Sequence, residues 1–433
     1  MHKLIKTKIY FNVPLKLKIK SNNSKHFYIY FSQVKFKKDT MKLIILSIFI
    51  WTLPYYLWRT FTFLKYRELK NHILKYATQY KPNVSIIIPA YNEENNIKET
   101  IEAAVKVDYN NKEIIVVDNN STDSTPQIVK ELIKKYRYIK LVHEKKRGKS
   151  HALNTAVNYA RNDIIITVDA DTYLETDSVK KIVKWFKNEK TGAVAGNVLV
   201  GNRKNMPTFL AAVEWWQGIN FCRRGQAATG NVLILPGAFT AFRKDVLKQV
   251  SGWDSDTVSE DFDITLKINK YGYKTYYEEE ALAYSESPNS FKELFRQRTR
   301  WMQGSFQVVF QKHFEFPKKL NLYNIEYCIL IIYGWLGVLL TPLQIAVGCL
   351  FLKSIIFNIV IYSIIFSYIG VFYMSLLSFV IDKDRIFLWY PALPLYSLMF
   401  VNLSALYGAY LALRGNNEWK YVKKYGMEFR ALE

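Results

Sequence analysis

Short runs of apolar residues, each bounded by polar residues or proline, recur through the middle of the chain. They are Val84–Pro89, Glu113–Asp118, Ile139–Val142 and Asp163–Asp169. Such runs are typical of strands that are buried on both faces of a parallel sheet. Between them, apolar residues recur at helical spacing over 94–106 and again after Thr125-Pro126, which supplies a helix start and a first-turn proline. The alternation predicts a doubly wound α/β sheet within about 80–320, with its ligand at the carboxyl ends of the strands.

A long apolar segment precedes this block. Residues 41–64 have about the length of a membrane span, although Pro54 and Arg59 interrupt them. A cleaved signal peptide is the alternative interpretation. Because no small-residue cleavage site follows and a basic stretch does, the sequence favours a transmembrane anchor.

Three further apolar stretches follow the block, within 327–413. They are Tyr327–Leu352, Ile355–Ile381 and Ile386–Leu413. Core helices rarely run so long without charge, so about three membrane spans are predicted. The basic tail over 414–433 favours a cytoplasmic C-terminus, whereas three spans after a cytoplasmic domain would place it outside. Either one stretch is interfacial or re-entrant, or the tail breaks the charge rule.

Charge and cysteine content narrow the class of protein. The 433 residues carry a formal net charge of +23 and three cysteines, none in a C-x-x-C pair, so neither a disulfide framework nor a thiolate zinc site is expected. Residues 1–40 hold ten Lys and one Asp and show no helical or strand period. They are either a native basic extension or lie upstream of a start at Met41. The uneven charge favours a membrane surface over nucleic acid, for which no binding motif is present.

Acidic residues stand where the predicted strands end. Asp118 closes one strand, and Asp169 and Asp171 follow another. Two carboxylates one residue apart at a strand end can share a divalent cation that also holds a diphosphate. Loop aspartates also cap turns, but three at successive strand ends favour the metal and diphosphate interpretation.

Two later motifs carry further candidate chemistry. Glu260 and Asp261 could supply a general base, or could simply complement the dipole of a helix start. In Gln297-Arg-Thr-Arg300-Trp301, the arginine suits a phosphate and the tryptophan suits the flat face of a sugar, while a basic face lying on lipid is the alternative. The aromatic segments 207–221 and 290–312 are expected to lie at a membrane interface, or else to be ordinary core helices.

The order of these motifs resembles a known family. Ile88-Pro89-Ala90-Tyr91-Asn92-Glu93, Asp118, Gly148-Lys149, Asp169-Ala-Asp171, Ser259-Glu260-Asp261 and Gln297-Arg-Thr-Arg300-Trp301 occur in succession. Over about 83–305 the chain is similar to the processive membrane-bound family 2 glycosyltransferases, which include the cellulose, chitin, hyaluronan and poly-β-1,6-N-acetylglucosamine synthases. Pro236-Gly237-Ala238-Phe239-Thr240 favours the last of these.

The resemblance implies a GT-A (Rossmann-like) fold flanked by transmembrane helices, a UDP-sugar donor, and Mg²⁺ or Mn²⁺ as cofactor. It implies that uridine is bound by Pro89, Tyr91, Glu93 and Asp118, that Lys149 lies near the nucleotide, and that Asp169 and Asp171 bind the donor and the metal. It places catalysis at Glu260-Asp261, with Asp261 as the base. It also implies that the diphosphate and the acceptor sugar are contacted by Gln297, Arg300 and Trp301.

Two departures from the family pattern are visible. The family usually shows Asp-Asp-Gly-Ser where this chain has Asp118-Asn119-Asn120-Ser121, so only the first Asp transfers with its role. Serine stands at 259 in place of the commoner threonine.

These expectations combine into one predicted function. The protein is expected to transfer a sugar, N-acetylglucosamine by resemblance, from UDP to a growing β-linked polysaccharide with inversion. It is expected to be a multi-pass protein of the plasma membrane with its catalytic domain in the cytoplasm, and to extrude the polysaccharide through the membrane. One alternative is transfer of a single sugar to a lipid or lipid-linked acceptor. Another is a catalytically inactive membrane scaffold, against which Asp169, Asp171, Asp261 and Arg300 argue. The sequence leaves open the linkage position and whether a small accessory membrane subunit is needed.

Overall fold

The structure is a computed structural model. It describes residues 17–20, 26–29, 57–73, 79–315, 321–336 and 385–415, together with a few single positions. Most of the predicted spans over 41–64 and 327–381 therefore lie outside the described residues.

A short hairpin lies in the N-terminal unit, 1–49, which is compact by itself. Strand β1 (Leu17–Lys20) pairs antiparallel with β2 (His26–Ile29), so that Leu17 lies opposite Ile29. The prediction that 1–40 has no strand period was wrong here. Leu17 and Ile19 alternate with lysines, which is the period-two pattern of a strand.

The second unit, 50–433, is built around one eight-stranded sheet. Its strands are β3 (Val84–Ala90), β4 (Lys112–Asp118), β5 (Ile139–His143), β6 (Ile164–Val168), β7 (Thr172–Leu174), β8 (Thr191–Val200), β9 (Phe239–Arg243) and β10 (Lys274–Ser285). Their spatial order is β5-β4-β3-β6-β9-β8-β10-β7. Strands β5, β4, β3 and β6 are mutually parallel, which confirms the parallel half of the prediction.

The other half of the sheet corrects the prediction. Strand β9 runs antiparallel to both β6 and β8, and β7 runs antiparallel to β10, so the sheet is mixed. The direction of β9 is set by a long connection from β8 that returns to the same sheet edge. A five-residue strand carries no local signal for its direction.

Helices cover the sheet and extend beyond it. In chain order they are α1 (57–73), α2 (Ile97–Lys106), α3 (Thr125–Lys135), α4 (Lys149–Tyr159), α5 (Ser178–Ile182), α6 (Met206–Trp215), α7 (Cys222–Ala228), α8 (Lys244–Gln249), α9 (Glu260–Lys270), α10 (Phe291–Phe306), α11 (Leu322–Ile329), α12 (Leu393–Tyr396) and α13 (Leu403–Leu413). Helix α3 begins at Thr125 with proline in its first turn, as predicted, while Ser124 occupies the capping position.

The sheet holds the core. Ile86, Ile87 and Ile88 of β3 have no exposed surface, because helices cover both faces of the strand. Each such side chain contributes about 1.5–3 kcal/mol of apolar burial. Helix α2 adds Ile97 and Ile101 from one face. This packing fixes the strand ends on which the acidic residues stand.

The predicted interface segments form helices that continue in π-helical turns. Helix α6 extends over Trp216–Phe221, and α10 extends over Gln307–Lys312. Helix α6 buries most of its residues, as the core-helix alternative expects, whereas α10 is exposed only near its start, at Phe291, Lys292 and Arg296. The position of either helix relative to a membrane stays a prediction.

One described helix, Leu388–Leu413, is long and apolar enough to cross a membrane by length and composition, and Leu322–Leu336 is apolar but shorter. Helix α13, the end of the longer one, packs directly on α10. A Cβ on Gly408 would lie 2.6 Å from the backbone nitrogen of Gln303 and 2.8 Å from the carbonyl oxygen of Thr299. Only glycine therefore lets the two backbones approach so closely.

Candidate active site

The acidic residues singled out in the sequence meet at one edge of the sheet. Asp118 is the last residue of β4, and Asp169 follows β6 directly. Because β9 runs antiparallel to β6, its beginning lies at the same edge, which brings in the loop of Gly237.

Lys149 and three carboxylates form the centre of this site, which we call the acidic cluster (Lys149, Asp169, Glu260 and Asp261). The Lys149 ammonium lies 2.5 Å from Asp169 Oδ1 and 3.3 Å from Glu260 Oε1. Lys149 is the first residue of α4, and Glu260 and Asp261 are the first two of α9. Three segments far apart in sequence thus contribute to one cluster.

Electrostatics within the cluster favour a bound cation. Burial alone would lower the pKa of Lys149, but the carboxylates of Asp169 and Glu260 outweigh it and raise that pKa above its ordinary value. Burial raises the pKa of Asp169, with help from Asp171, while Lys149 acts in the opposite direction. One lysine thus faces three carboxylates, and the cluster carries a net negative charge when all four groups are ionised.

Asp261 is held in a fixed orientation. Its Oδ2 accepts a hydrogen bond from the Gly237 backbone N–H at 3.1 Å, and its Oδ1 accepts one from Phe262 N–H at 2.8 Å. A Cβ at 237 would lie 2.6 Å from Lys149 Nζ and 3.6 Å from Asp261 Oδ2. Glycine at 237 therefore leaves the space in front of the carboxylate open.

Asp118 lies in a separate polar pocket at the same edge. It is buried, its Oδ2 lies 2.9 Å from His143 Nδ1, and its Oδ1 accepts a hydrogen bond from Ser121 N–H at 3.1 Å. The neighbouring Asn92 has a positive φ of 54° and accepts a hydrogen bond from Thr122 N–H at 2.8 Å. This sharp turn binds the loop after β3 to the loop after β4.

Comparison with known proteins is consistent with this geometry. The family model described as Glycosyl transferase family 2 matches residues 85–251, which include Asp118, Lys149 and the Asp169-Ala-Asp171 segment. Residues 85–251 are a family 2 glycosyltransferase domain.

Relatives of known name extend the likeness beyond this domain. The chain is 31% identical over 254 residues to a poly-beta-1,6-N-acetyl-D-glucosamine synthase of Staphylococcus epidermidis, which is 58% of this chain and 62% of that protein. It is 28% identical over 278 residues to the protein of that name from Staphylococcus aureus, covering 62% of this chain and 68% of that protein. The match thus spans less than two thirds of the Staphylococcus epidermidis relative.

A solved structure supports the fold. The mannosyltransferase PcManGT from Pyrobaculum calidifontis, in complex with GDP-Man and Mn²⁺, superposes with a TM-score of 0.61 at 21% identity, over 86% of this chain and 99% of that one. This likeness confirms the predicted GT-A fold, with the mixed sheet described above.

Other predicted donor residues line the glycosyltransferase domain near Asp118. The Arg147 guanidinium lies over the Tyr91 ring, 4.4 Å from its centroid, and also donates a hydrogen bond to the Tyr91 hydroxyl. The Glu93 backbone N–H donates to Thr125 Oγ1 at 2.9 Å. Pro89 lies in β3 opposite Val117. The arginine over Tyr91 was not predicted, because Arg147 and Tyr91 are 56 residues apart.

Asn119, where the family pattern usually has aspartate, holds the loop before α4. Its Nδ2 donates to the carbonyl oxygens of Glu144, at 3.2 Å, and Lys146, at 2.7 Å, and its Oδ1 accepts from Gly148 N–H at 2.7 Å. An amide can make all three bonds, whereas a carboxylate has no donor for the two carbonyls. This departure therefore has a structural function: it positions the loop that leads to Lys149.

We expect Asn119→Asp to destabilise the domain by about 1–3 kcal/mol, because a carboxylate would face two carbonyl oxygens. Equilibrium unfolding in denaturant measures this loss. The matched control is Asn120→Asp, at an exposed neighbour whose φ of 64° aspartate also tolerates. Equal stability of Asn119→Asp and the unchanged chain would contradict the assigned hydrogen bonds.

The residues of the Gln297–Trp301 motif lie in a second cluster, between α6 and α10. Arg298, which the sequence analysis passed over, is its centre. Its Nε lies 2.8 and 3.1 Å from the two oxygens of Glu214, its Nη1 donates to Gln297, and its guanidinium lies 4.2 Å from the Trp301 ring centroid. Burial disfavours the charge, but Glu214 holds the pKa of Arg298 above its ordinary value.

Arg300 and Trp301 are each half-buried. Trp301 also packs near Trp215, with ring centroids 6.4 Å apart. The two clusters touch at Gly304 of α10, where a Cβ would meet the Ser259 side chain and would lie 3.0 Å from the backbone nitrogen of Ser259, the residue before Glu260. The structure therefore joins the helix of the motif to the helix of the candidate base.

A third acidic group, Asp254, Asp256 and Asp263, has carboxylate oxygens within 4.8 Å of one another. The Lys312 ammonium lies 2.7 Å from Asp254, 2.7 Å from Asp256 and 3.0 Å from Asp263. Because a lysine already supplies the positive charge, this group is an ion-pair network that ties the end of α10 to α9.

Arg223 is a buried cation that sequence reasoning missed. Its side chain is 7% exposed and its Nη1 has no hydrogen-bond partner among the described residues. Burial lowers its pKa, and the nearby Tyr277 and Asp261 oppose this shift. A buried donor of this kind beside the acidic cluster suits an anionic ligand.

Proposed function

We propose that the protein transfers N-acetylglucosamine from UDP to a growing β-linked polysaccharide by a single inverting displacement, and that the polymer leaves through membrane helices of the same chain. The main support for this proposal is that the acidic cluster lies beside Gly237 at the carboxyl edge of the sheet. The likeness to proteins named poly-beta-1,6-N-acetyl-D-glucosamine synthase supports the choice of sugar and polymer.

The proposed base is Asp261, with Glu260 beside it. Two backbone N–H groups hold the Asp261 carboxylate, and Gly237 leaves its front open. It would take the proton of an acceptor hydroxyl while that oxygen attacks the anomeric carbon and the bond to UDP breaks. Because a single carboxylate suffices and no covalent intermediate is formed, an α-linked donor gives a β-linkage.

The donor would lie between the Asp118 pocket and the acidic cluster. Pro89, Tyr91, Glu93 and Asp118 are the proposed uridine contacts. Lys149, Arg223 and Arg300 are the cations proposed to offset charge on the leaving diphosphate. Lys149 already lies 2.5 Å from Asp169, so it would exchange part of this contact for the donor.

The residues of the cluster fit a divalent cation. Asp169 and Asp171 stand one residue apart directly after β6, and carboxylate oxygens are the ligands that Mg²⁺ and Mn²⁺ prefer. Asp169 and Asp171 would hold the ion. When bound, it would supply charge stabilisation for the diphosphate.

The acceptor is proposed to lie on the side of α10. Trp301 would offer its ring to the terminal sugar, with Gln297 behind it. Helix α13 packs on α10 through Gly408, so the one described helix that is long and apolar enough to cross a membrane adjoins this acceptor side. The proposed multi-pass arrangement in the cell membrane, with the catalytic domain in the cytoplasm, rests on the spans predicted from the sequence.

Release of UDP by the purified full chain in detergent tests the proposal. After chelation with EDTA, we expect no turnover with any donor, and return of turnover with UDP-N-acetylglucosamine once Mg²⁺ or Mn²⁺ is added. UDP-glucose, UDP-galactose and GDP-mannose serve as competing donors. Well-folded protein that stays inactive with all of them, with and without lipid-linked acceptor, would favour the inactive scaffold.

Product length separates the polymerase from the alternative of a single transfer. Gel filtration of radiolabelled product should show long chains at low enzyme-to-donor ratio if the same acceptor is extended repeatedly. Products that carry only one added sugar would overturn the processive part of the proposal.

A further inference from the structure

A cavity of about 420 Å³ lies apart from the acidic cluster, between α1, α6 and strands β8 and β10. We call it the α1 pocket. Its wall includes Phe63, Arg67, Asn197, Arg203, Trp215 and Glu279. In the described part of the chain, its wall includes no member of the acidic cluster.

Two deeply buried polar atoms in this wall have no partner among the described residues. Asn197 is 5% exposed and Trp215 is 8% exposed, yet Asn197 Oδ1 and Trp215 Nε1 make no hydrogen bond. The other amide group of Asn197, Nδ2, donates to the Glu279 carbonyl at 2.9 Å, which fixes Oδ1 as the free acceptor. Leaving such atoms unsatisfied is unfavourable, because each has given up its hydrogen bond to water on burial. A ligand with hydroxyl groups would satisfy both.

The pocket wall also carries positive charge. Arg67, Lys181, Arg203 and Arg224 contribute to it. Two of these cations are already paired, Lys181 with Asp177 at 2.6 Å and Arg224 with Glu279. The wall carboxylates are also neutralised by Lys70, which lies 3.1 Å from Glu279 and 2.7 Å from Glu280. Arg67 makes no ion pair within the described ranges, so its charge favours an anion, above all a phosphate.

The position of the pocket along α1, next to the end of the predicted span, indicates the source of that phosphate. Phe63 lies at the end of the predicted 41–64 span, and Leu57, Phe61 and Leu64 of the same helix expose more than half of their surface. Arg67 stands one turn beyond Leu64, on the same side of the helix. An apolar face followed by a cation is the arrangement expected at the level of lipid headgroups.

We propose that the α1 pocket binds the headgroup of an anionic phospholipid of the phosphoglycerol class. Arg67 and Arg203 take the phosphate. Asn197 Oδ1 accepts from a glycerol hydroxyl, Trp215 Nε1 donates to an oxygen of the same headgroup, and the acyl chains follow the exposed face of Leu64 and Phe61. A neutral sugar would satisfy the two buried atoms but would leave Arg67 without a counter-ion.

The site bears on the candidate reaction through one contact. Trp215 lies in the pocket wall and also packs 6.4 Å from Trp301, the proposed acceptor residue. A bound headgroup would therefore hold Trp215 in place, and Trp215 in turn packs against the proposed acceptor residue Trp301. Lipid binding itself does not depend on transferase activity, so each can be tested without the other.

The experiment titrates purified full-length protein in neutral detergent with short-chain phosphatidylglycerol and follows the midpoint of thermal unfolding and lipid adducts in native mass spectrometry. We expect a saturable rise with phosphatidylglycerol and no saturable rise with phosphatidylcholine. Arg67→Gln and Trp215→Phe should each weaken binding about fivefold, through loss of a charge and of a single N–H donor respectively. The matched control is Arg137→Gln, at an exposed arginine distant from the pocket wall, which should bind as the unchanged chain does.

Three outcomes would overturn the proposal. The first is equal binding of phosphatidylcholine, or equal weakening by Arg137→Gln, which would indicate general surface adsorption. The second is unchanged binding in both Arg67→Gln and Trp215→Phe. The third is a tighter response to glycerol 3-phosphate or to an N-acetylglucosamine disaccharide than to the lipid, which would assign the pocket to a soluble ligand.

Discussion

Asp261→Asn is expected to lower the rate of sugar transfer by about 100- to 10,000-fold, because the amide cannot accept the proton of the acceptor hydroxyl. The fold should persist, since an asparagine oxygen can still accept the hydrogen bond from Gly237 N–H or from Phe262 N–H. UDP release under saturating donor measures the rate, and equilibrium unfolding checks the fold.

The control for this variant uses a carboxylate at the opposite end of the sheet. Asp163 precedes β6, whereas Asp169 follows it, and the Asp163 side chain is exposed. Asp163→Asn should therefore transfer sugar at the rate of the unchanged chain. If Asp261→Asn kept full activity while Glu260→Gln lost it, the base would be Glu260.

Arg298→Met is expected to destabilise the protein by about 3–5 kcal/mol, because it leaves the Glu214 carboxylate without its buried counter-ion. Glu214 also accepts a hydrogen bond from the Tyr396 hydroxyl at 2.6 Å, so the loss reaches the helix that carries Tyr396. Equilibrium unfolding in denaturant gives the change, and Arg296→Met is the control, since Arg296 is exposed on the same helix.

A double variant separates the charge effect from lost packing. With Glu214→Met added to Arg298→Met, no unpaired carboxylate remains, and much of the stability should return. A single Arg298→Met as stable as Arg296→Met would show that the ion pair contributes little. In that case Trp301 would owe its position to packing against Trp215 rather than to Arg298.

The sequence predicted the parallel strands and the acidic residues at their ends because both signals are local. A run such as Ile86-Ile87-Ile88 has only one stable position in a globular domain, at the centre of a covered sheet. Once the strands are placed, the rule for parallel sheets brings Asp118 and Asp169 to one edge. The structure places both aspartates at that edge, and their roles in binding stay predictions.

Contacts between distant segments were beyond such reasoning. Arg147 over Tyr91 and Arg298 against Glu214 join residues 56 and 84 positions apart, and no period in the sequence encodes them. The motif drew attention to Arg300, yet the buried ion pair belongs to its neighbour Arg298. A helix turns by 100° per residue, so residues two apart face different surroundings.

The function of Asn119 could not be predicted from the sequence either. In the sequence it is only a departure from a family pattern. Its function as an amide that joins two carbonyls and one N–H becomes visible only when the loop over 144–148 is in place.

Two glycines give helix α10 an unusual mechanical property. Gly408 brings the backbone of α13 against the backbone of α10, and Gly304 lets α10 pack against the short side chain and the backbone nitrogen of Ser259. Side chains normally absorb a small displacement between helices by changing rotamer, but the backbone contact at Gly408 has no such freedom and Ser259 can move only its hydroxyl. A tilt of the apolar helix would therefore be transmitted as a nearly rigid displacement to the start of α9, and the alignment of Asp261 would follow the packing of a helix outside the catalytic domain.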